Sequence, residues 1–332
     1  MESVARLSSA ERRDLFAETA ARKAMTPAIV EKDFWVCWTL GRLFAHADLS
    51  HLLRFKGGTS LSKVFHLIER FSEDVDLILD WRAVAGEDDP LAVRSATKQD
   101  ALNKTIDARA VNYIGGELRP MISRAVAPIC RCELAADDLH SLNIRYPAAF
   151  SDAYLRPEVR LEIGPLAGWL PSDGYRIRPY AADVFPQLFR QADCAVQAIR
   201  AERSFWEKAT ILHQEAHRPE GNPQPLRYSR HYYDLAMMAA APVKAAALAD
   251  LPLLEDVVSF KQRFYRRPWA RYDLAQPGTF RLLPSDPVLP TVERDYAQMR
   301  NMIFGPYPAF GEVMAQLHQL ENEINALGVV TG

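Results

Sequence analysis

Along residues 1–45 the apolar positions recur at helical spacing, in two runs. Ser8 with Glu11 has the spacing of a capping box, and Thr26-Pro27 offers an N-cap followed by proline at the first helical position. The second run carries Ile29, Phe34, Trp35, Trp38, Leu40 and Leu43, an apolar load wide enough to pack against something large. From Leu52 the pattern changes. Leu52-Leu53-Arg54-Phe55 is short and apolar, Gly57-Gly58 closes it, and residues 59–71 return to helical spacing through Leu61, Val64, Phe65 and Ile68. Residues 75–79 have strand character, broken by alternating carboxylates. Strand, glycine turn, helix, strand is the expectation for residues 52–80.

Residues 82–125 begin polar and become helical. Four strand-like pieces follow at 129–134, 142–146, 158–163 and 175–178, punctuated by Pro157, Gly164-Pro165 and the turn signal Ser172-Asp173-Gly174. Beyond about Ala192 the pattern is helical, with helices expected at 195–217, 229–241 and 288–327 and a Pro-, Gly- and Asn-bearing loop at 218–227. The expected fold class is α/β, more fully α+β. A mixed sheet, completed mostly by antiparallel strands and flanked by helices, would occupy residues 1–190. A mostly helical C-terminal domain would occupy 191–332.

Composition narrows this without redirecting it. The 332 residues are 48% hydrophobic and 25% charged, which suits a folded chain of two domains. A net charge of −2 argues against a generally basic nucleic-acid coat while permitting a local basic patch. Four cysteines, Cys37, Cys130, Cys132 and Cys194, are too sparse for a disulfide scaffold, and without a second close pair a zinc site is not expected. Residues 1–26 lack the apolar core of a signal peptide. Lys244 and Asp250 interrupt the most apolar stretch, 235–254, which reads as soluble helices and not a membrane span. A cytoplasmic protein with no membrane partner is expected.

Chemistry concentrates at Asp74 and Asp76. Two apart on a strand, they project from the same face. Like charges side by side raise one another's pKa unless a cation sits between them, and oxygen-only ligands suit Mg²⁺ or Mn²⁺. Upstream, Gly57-Gly58-Thr59-Ser60 ends a strand and opens a helix, where backbone N–H groups favour phosphate and glycine permits close approach. Lys63 adds a positive charge one turn later. The spacings of a P-loop and of a dinucleotide-binding glycine motif are both missing. A third carboxylate is expected on a neighbouring strand. Residues 156–163 put Glu158, Arg160 and Glu162 on one face, with Glu162 the better candidate ligand and a solvent-facing acid the plainer alternative.

Further along, Lys208 lies on a helix beside Phe205, Trp206, Ile211 and Leu212, where a lysine can simply snorkel from an apolar face. Asp234 follows a histidine and two tyrosines and can pair with Arg227 or Arg230. His231 has no second His or Cys at a ligating spacing. Lys261, Arg263, Arg266, Arg267 and Arg271, mixed with Phe264, Tyr265, Trp269 and Tyr272, suit phosphate and unstacked bases, or equally a solvated charged face.

Two runs of residues carry a family resemblance: Lys56-Gly57-Gly58-Thr59-Ser60-Leu61-Ser62-Lys63, and Phe71-Ser72-Glu73-Asp74-Val75-Asp76-Leu77. With Val30 to Trp35 upstream, Glu202 to Lys208, and Arg227 with Arg230 to Leu235 downstream, the chain resembles the AbiEii/AbiGii nucleotidyltransferase toxins, relatives of the polymerase-β-like nucleotidyltransferases. The resemblance implies a nucleotidyltransferase-like sheet domain and a C-terminal domain that completes the active site. Asp74 and Asp76 would hold metal, joined less certainly by Glu162. Lys56, Gly57, Gly58, Thr59, Ser60, Lys63 and Ser72 would surround the triphosphate. Lys208 and Asp234 would match the family's later lysine and aspartate, both counted as catalytic, with Lys208 on phosphate. It further implies a toxin of a toxin–antitoxin or phage-defence (abortive infection) system, an antitoxin partner, an NTP substrate and a tRNA 3′ end as the favoured acceptor. Arg227, Arg230, Lys261, Arg263, Arg266 and Arg267 are the candidate RNA contacts.

Nucleotidyl transfer is thus the leading expectation. A kinase could use the same metal and phosphate grip to present a γ-phosphate. A non-catalytic nucleotide sensor or antitoxin-binding module is the third reading, disfavoured because a scaffold gains little from packing like charges together.

Overall fold

The Ser8 hydroxyl accepts from the Glu11 amide at 3.2 Å, and the Glu11 carboxylate accepts from the Ser8 amide at 2.8 Å, so the capping box forms. It opens α1, Ser9–Lys23, and Thr26 caps α2, Pro27–Ala45, with Pro27 in its first turn. The computed structural model describes residues 1–72, 74–152 and 155–328; Glu73 of the acidic motif lies outside them. The chain divides into two units, residues 1–64 with 71–199, and residues 65–70 with 200–332.

Seven strands form the sheet of the first unit: β1 Leu53–Lys56, β2 Asp74–Leu79, β3 Arg131–Leu134, β4 Ser141–Arg145, β5 Glu158–Gly164, β6 Ser172–Ile177 and β7 Cys194–Ile199. Their order is β3-β4-β5-β2-β1-β7-β6. Among the described residues β1 pairs parallel with β7 and β2 parallel with β5, while the other neighbours are antiparallel. The sheet is mixed and mostly antiparallel, as the strand-like segments predict. One face carries Val75, Leu77, Leu142, Leu161 and Val196 into a core shared with α2, where Trp35 stacks on Tyr146 at 5.4 Å. Apolar area removed from water there, at roughly 25 cal/mol per Å², is what holds the layers together.

Three expectations around the sheet fail, each for a physical reason. The helix expected at 59–71 is α3, Gly57–Lys63, and stops there; His66 turns to φ 53° and residues 65–70 join the second unit. The turn expected at 172–174 is inside β6, an edge strand whose Gly174 pairs with Gln197 of β7. Edge strands need little apolar alternation, so the sequence there reads as a turn. Residues 195–199, expected to begin a helix, belong to β7. Its buried Cys194, Val196 and Ala198 alternate with exposed Ala195 and half-buried Gln197, a period of two that the alanines disguise.

The second unit is built from α4 Ala201–Ala216, α5 Ser229–Ala239, α6 Leu251–Phe264, α7 Leu289–Gln298 and α8 Phe310–Ala326, numbered among the principal helices. Trp206, Tyr232, Tyr233 and Phe280 are fully enclosed in it. The single helix expected at 288–327 breaks between Met302 and Phe310, where Gly305, Pro306 and Pro308 intervene and the Tyr296 hydroxyl donates to the Pro308 carbonyl at 2.8 Å. Residues 218–227 form the expected loop. All four cysteines are buried and free. Among the described residues no helix is long and apolar enough to cross a membrane.

Candidate active site

On β2, Val75 and Leu77 are buried while Asp74 and Asp76 stand half-buried on the opposite face. Pairing extends that face into two rows. Asp76 lies across from Lys56 on β1 and Glu162 on β5; Asp74 lies across from Arg160, which in turn faces Asn143 on β4. Both aspartates therefore share one side of the sheet, next to the strand that leads into the glycine turn.

The turn and the carboxylate are in direct contact. Gly57 has φ +81°, and a Cβ built on it would stand 1.8 Å from Oδ2 of Asp76. No side chain fits there, and the left-handed conformation favours glycine on its own account. Thr59 donates its hydroxyl to the Asp74 carbonyl at 2.5 Å, which ties α3 to β2. The Ser60 hydroxyl donates back to the Gly57 carbonyl at 2.9 Å, and Ser60 is fully buried with Gly58 and Thr59 nearly so. These hydroxyls shape the turn from within.

Lys63 is placed differently from the expectation that it meets phosphate. Its ammonium lies 2.6 Å from Asp33 of α2 and 3.9 Å over the ring of Tyr180, with both partners of the ion pair buried. The other Asp33 oxygen accepts from the Tyr180 amide at 2.7 Å. Burial alone would lower the Lys63 pKa; Asp33 more than offsets it, so the ammonium stays charged inside the protein. A two-turn helix has an inner and an outer face, and Lys63 is on the inner one. Ser72 is half-buried just ahead of β2.

Glu162 is opposite Asp76 in register, yet its carboxylate stands 3.6 Å from the Arg160 guanidinium, which also holds Asp137 at 2.9 Å. Glu158, expected on the same face, is buried, with Arg145 and Arg156 at its rim. Among the described residues no three Asp, Glu, His or Cys side chains gather as a metal cage. The donor set still suits a hard divalent ion. Mg²⁺ is commonly held by one or two carboxylates, with water and substrate phosphate completing the shell. Asp74 and Asp76 offer that pair beside a turn where a Cβ would intrude.

In the second unit, Lys208 of α4 does not snorkel. Its Nζ lies 2.7 Å from Oδ2 of Asp234 on α5. The partner of Asp234 is neither Arg227 nor Arg230, both of which are exposed, but Arg70. Arg70 Nε reaches Oδ1 at 2.6 Å and its Nη2 reaches Oδ2 at 2.8 Å. Burial would raise the Asp234 carboxyl, but Arg70 and Lys208 overcome it and hold it well below the usual carboxylate range. Burial draws Lys208 below the ordinary lysine value, with Asp234 opposing and Arg70 adding to the shift. Asp234 is wholly enclosed, with Arg70 and Lys208 against its two oxygens.

The residues from 38 to 316 match the family described as the nucleotidyl transferase AbiEii toxin of type IV toxin–antitoxin systems. The chain belongs to that family. It is accordingly a nucleotidyltransferase. No curated protein matches the chain. Among solved structures it is similar to MenT4, a nucleotidyltransferase toxin from Mycobacterium tuberculosis H37Rv, at 18% identity over 95% of this chain and 98% of that one. The TM-score is 0.41, too loose a likeness to bear on the site.

In this AbiEii-family chain the candidate RNA contacts are partly engaged with their own protein. Lys261 lies over Tyr265 at 5.3 Å, and Arg218 and Arg267 lie over Trp269 at 4.7 and 5.7 Å. Arg271 pairs with Asp273, and Arg266 and Arg267 are exposed. Arg263 is half-buried at the end of α6. Arg70, Asp33 and Arg160 are the residues to which sequence reasoning gave no role. Asp33 sits in the quoted Val30 to Trp35 run and Arg160 on the acidic face. Arg70 carries no local signal, because its partner is 164 residues away.

Proposed function

We propose that this AbiEii-family nucleotidyltransferase transfers a nucleoside monophosphate from an NTP to a hydroxyl acceptor, with a tRNA 3′ end favoured, as a metal-dependent toxin. The observation that carries the reading is the contact between the Gly57 turn and the Asp76 carboxylate, with Asp74 on the same face. A bond forms between the acceptor oxygen and the α-phosphorus. The bond from that phosphorus to the bridging oxygen breaks, pyrophosphate leaves with the electron pair, and the hydroxyl proton passes to solvent.

Asp74 and Asp76 are the residues that would hold Mg²⁺ or Mn²⁺, with Glu162 the nearest further carboxylate in register. When bound, the ion supplies charge neutralisation at the leaving pyrophosphate and a more acidic acceptor hydroxyl. The chain's own contribution is positional. Gly57 and Gly58 keep the turn free of side chains, Thr59 and Ser60 fix its shape, and Lys56 brings a positive charge to the Asp76 row. Lys208 is assigned to phosphate, with Asp234 orienting it. The exposed Arg266 and Arg267 and the 45%-exposed Tyr265, next to Trp269, support contact with unstacked RNA, to which Arg227 and Arg230 would add charge. Family membership supports a cognate antitoxin, and the proposal extends to a role in phage defence.

Incubation with each α-³²P-labelled NTP, Mg²⁺ and either tRNA or total protein tests it. Label should appear in RNA with release of pyrophosphate. Asp76→Ala should abolish transfer while leaving the unfolding midpoint within a few degrees. Release of nucleoside diphosphate would indicate a kinase instead, and equal transfer by the variant would remove Asp76 from the chemistry.

A further inference from the structure

The face of the sheet that carries Asp74 and Asp76 continues one pleat further along β2, to Ile78. There its character changes from acidic to apolar. Ile78 forms a small cluster with Ala167 and Ile199, separate from the main core, and the half-buried indole of Trp169 packs on it. Arg54 of β1, in register with Ile78, lays its guanidinium over that ring at 4.3 Å, and its Nε donates to the Ser172 hydroxyl at 3.2 Å. Arg82 stands 5.9 Å from the same ring. Gly164 lies across from Ile78 on β5, and a Cβ built on it would meet no heavy atom of the described residues within 4 Å beyond its chain neighbours. The indole thus covers the β1 side of Ile78 and leaves the β5 side open.

We propose that Trp169, backed by Arg54, stacks on the base of the incoming NTP, and that Gly164 stays free of a side chain to admit the ribose. The inference deepens the proposed function and rests on its docking of the triphosphate at the Gly57 turn. Lys56, Asp76 and Glu162 form one row across the sheet; Arg54, Ile78 and Gly164 form the next, about 7 Å along the strands. One ribose joins a base to its phosphates, so a nucleotide held at the first row places its base over a neighbouring one. Towards Asp74 that neighbour offers Arg160 and Asn143, polar side chains with no apolar ring. Towards Ile78 it offers an indole beside open space. Every base has a π-face, so such a ring grips the nucleotide without choosing among the four. The plainer role for Trp169 is to cover Ile78, which explains the ring but not the gap. The φ of Gly164 lies outside the left-handed region, so the backbone does not require glycine there, and glycine is a poor strand former.

Calorimetric titration of the full chain with Mg²⁺ and either the α,β-methylene NTPs or inorganic tripolyphosphate separates the two roles. Trp169→Ala should weaken every NTP analogue that the parent protein binds by about tenfold or more, and Trp169→Phe should recover most of that loss. Gly164→Leu should weaken the same analogues comparably by filling the gap. Tripolyphosphate, which has no base, should bind all of these proteins within about twofold of one another. Parental affinity of Trp169→Ala for the analogues overturns the inference, as does an equal weakening of tripolyphosphate, which would make the ring a structural cover. Unchanged analogue binding with a raised KM for tRNA would give the indole to the acceptor and overturn it too. Should Trp169→Ala not fold, Gly164→Leu decides, and its binding the analogues as the parent protein does sinks the inference. A parent protein that binds tripolyphosphate as tightly as the analogues keeps its phosphate site and loses the base subsite. If it binds neither, the docking at the Gly57 turn fails first and takes the inference with it.

Discussion

Gly57 shows how much one missing methyl group decides. Its positive φ would strain any other residue by about 1 kcal/mol, and the carboxylate at its back makes the position sterically closed as well. Gly57→Ala should therefore lower nucleotidyl transfer at least about a hundredfold, while the chain loses only about 1–2 kcal/mol of stability. Paired activity and urea-unfolding measurements check this, and undiminished transfer would show that the turn tolerates being pushed off Asp76. The aspartate pair, the glycine turn and their adjacency were legible in the sequence, because each is local and the period of two is strict. The orientation of Lys63 was not. Its spacing on α3 is compatible with either face, and only Asp33, 30 residues earlier on another helix, decides which.

Among the elements, α3 is too short to stand alone, and isolated helices of two turns are marginal in water. The buried pair of Asp33 and Lys63 fastens it to α2, with Tyr180 as the third member. Either Asp33→Leu or Lys63→Met alone should cost about 3–5 kcal/mol by stranding a charge out of water. Together they should recover most of that loss, short of about 1 kcal/mol for the Tyr180 amide left without its acceptor. Unfolding free energies for the four proteins test the coupling; additive losses would mean that the two side chains stabilise the fold separately. At this scale the sequence failed where tertiary pairing overrides local preference. β7 is written in alanines and a glutamine and is made a strand by β1 and β6 on either side of it. β6 is written as a turn and held straight by the same neighbour.

At the scale of the molecule, the second unit carries a pH dependence of its own. His213 Nε2 donates to the Arg271 carbonyl at 2.9 Å, and its Nδ1 accepts from the Arg281 amide at 3.1 Å, a pattern that requires the neutral ring. Burial lowers its pKa to about 4. A depressed histidine contributes its stability above the unfolded value near 6.5 and loses it as pH falls toward the folded value. About 3 kcal/mol should disappear between roughly pH 6.5 and 4, and Asp234, with its own depressed carboxyl, extends the loss to lower pH. Denaturant titrations at pH 7.5 and 4.5 should show that loss, and His213→Gln should flatten most of it. Equal slopes in the two proteins would assign the acid lability elsewhere. The sheet-then-helices order of the chain was readable from composition shifts, but its interleaving was not. No periodicity reveals that residues 65–70, between the two most informative motifs, pack with partners more than 160 residues further on.

That interleaving bears on any attempt to cut the protein in two. A fragment ending at Ile199 would retain Arg70 but not Asp234, to which it is bonded, and the remainder would hold Asp234 and Lys208 without the guanidinium. Neither piece is then a finished folding module. Reconstitution from halves would have to begin with both strands of the polypeptide present at once, threading the short passage from Phe65 to Arg70 into place before either could settle.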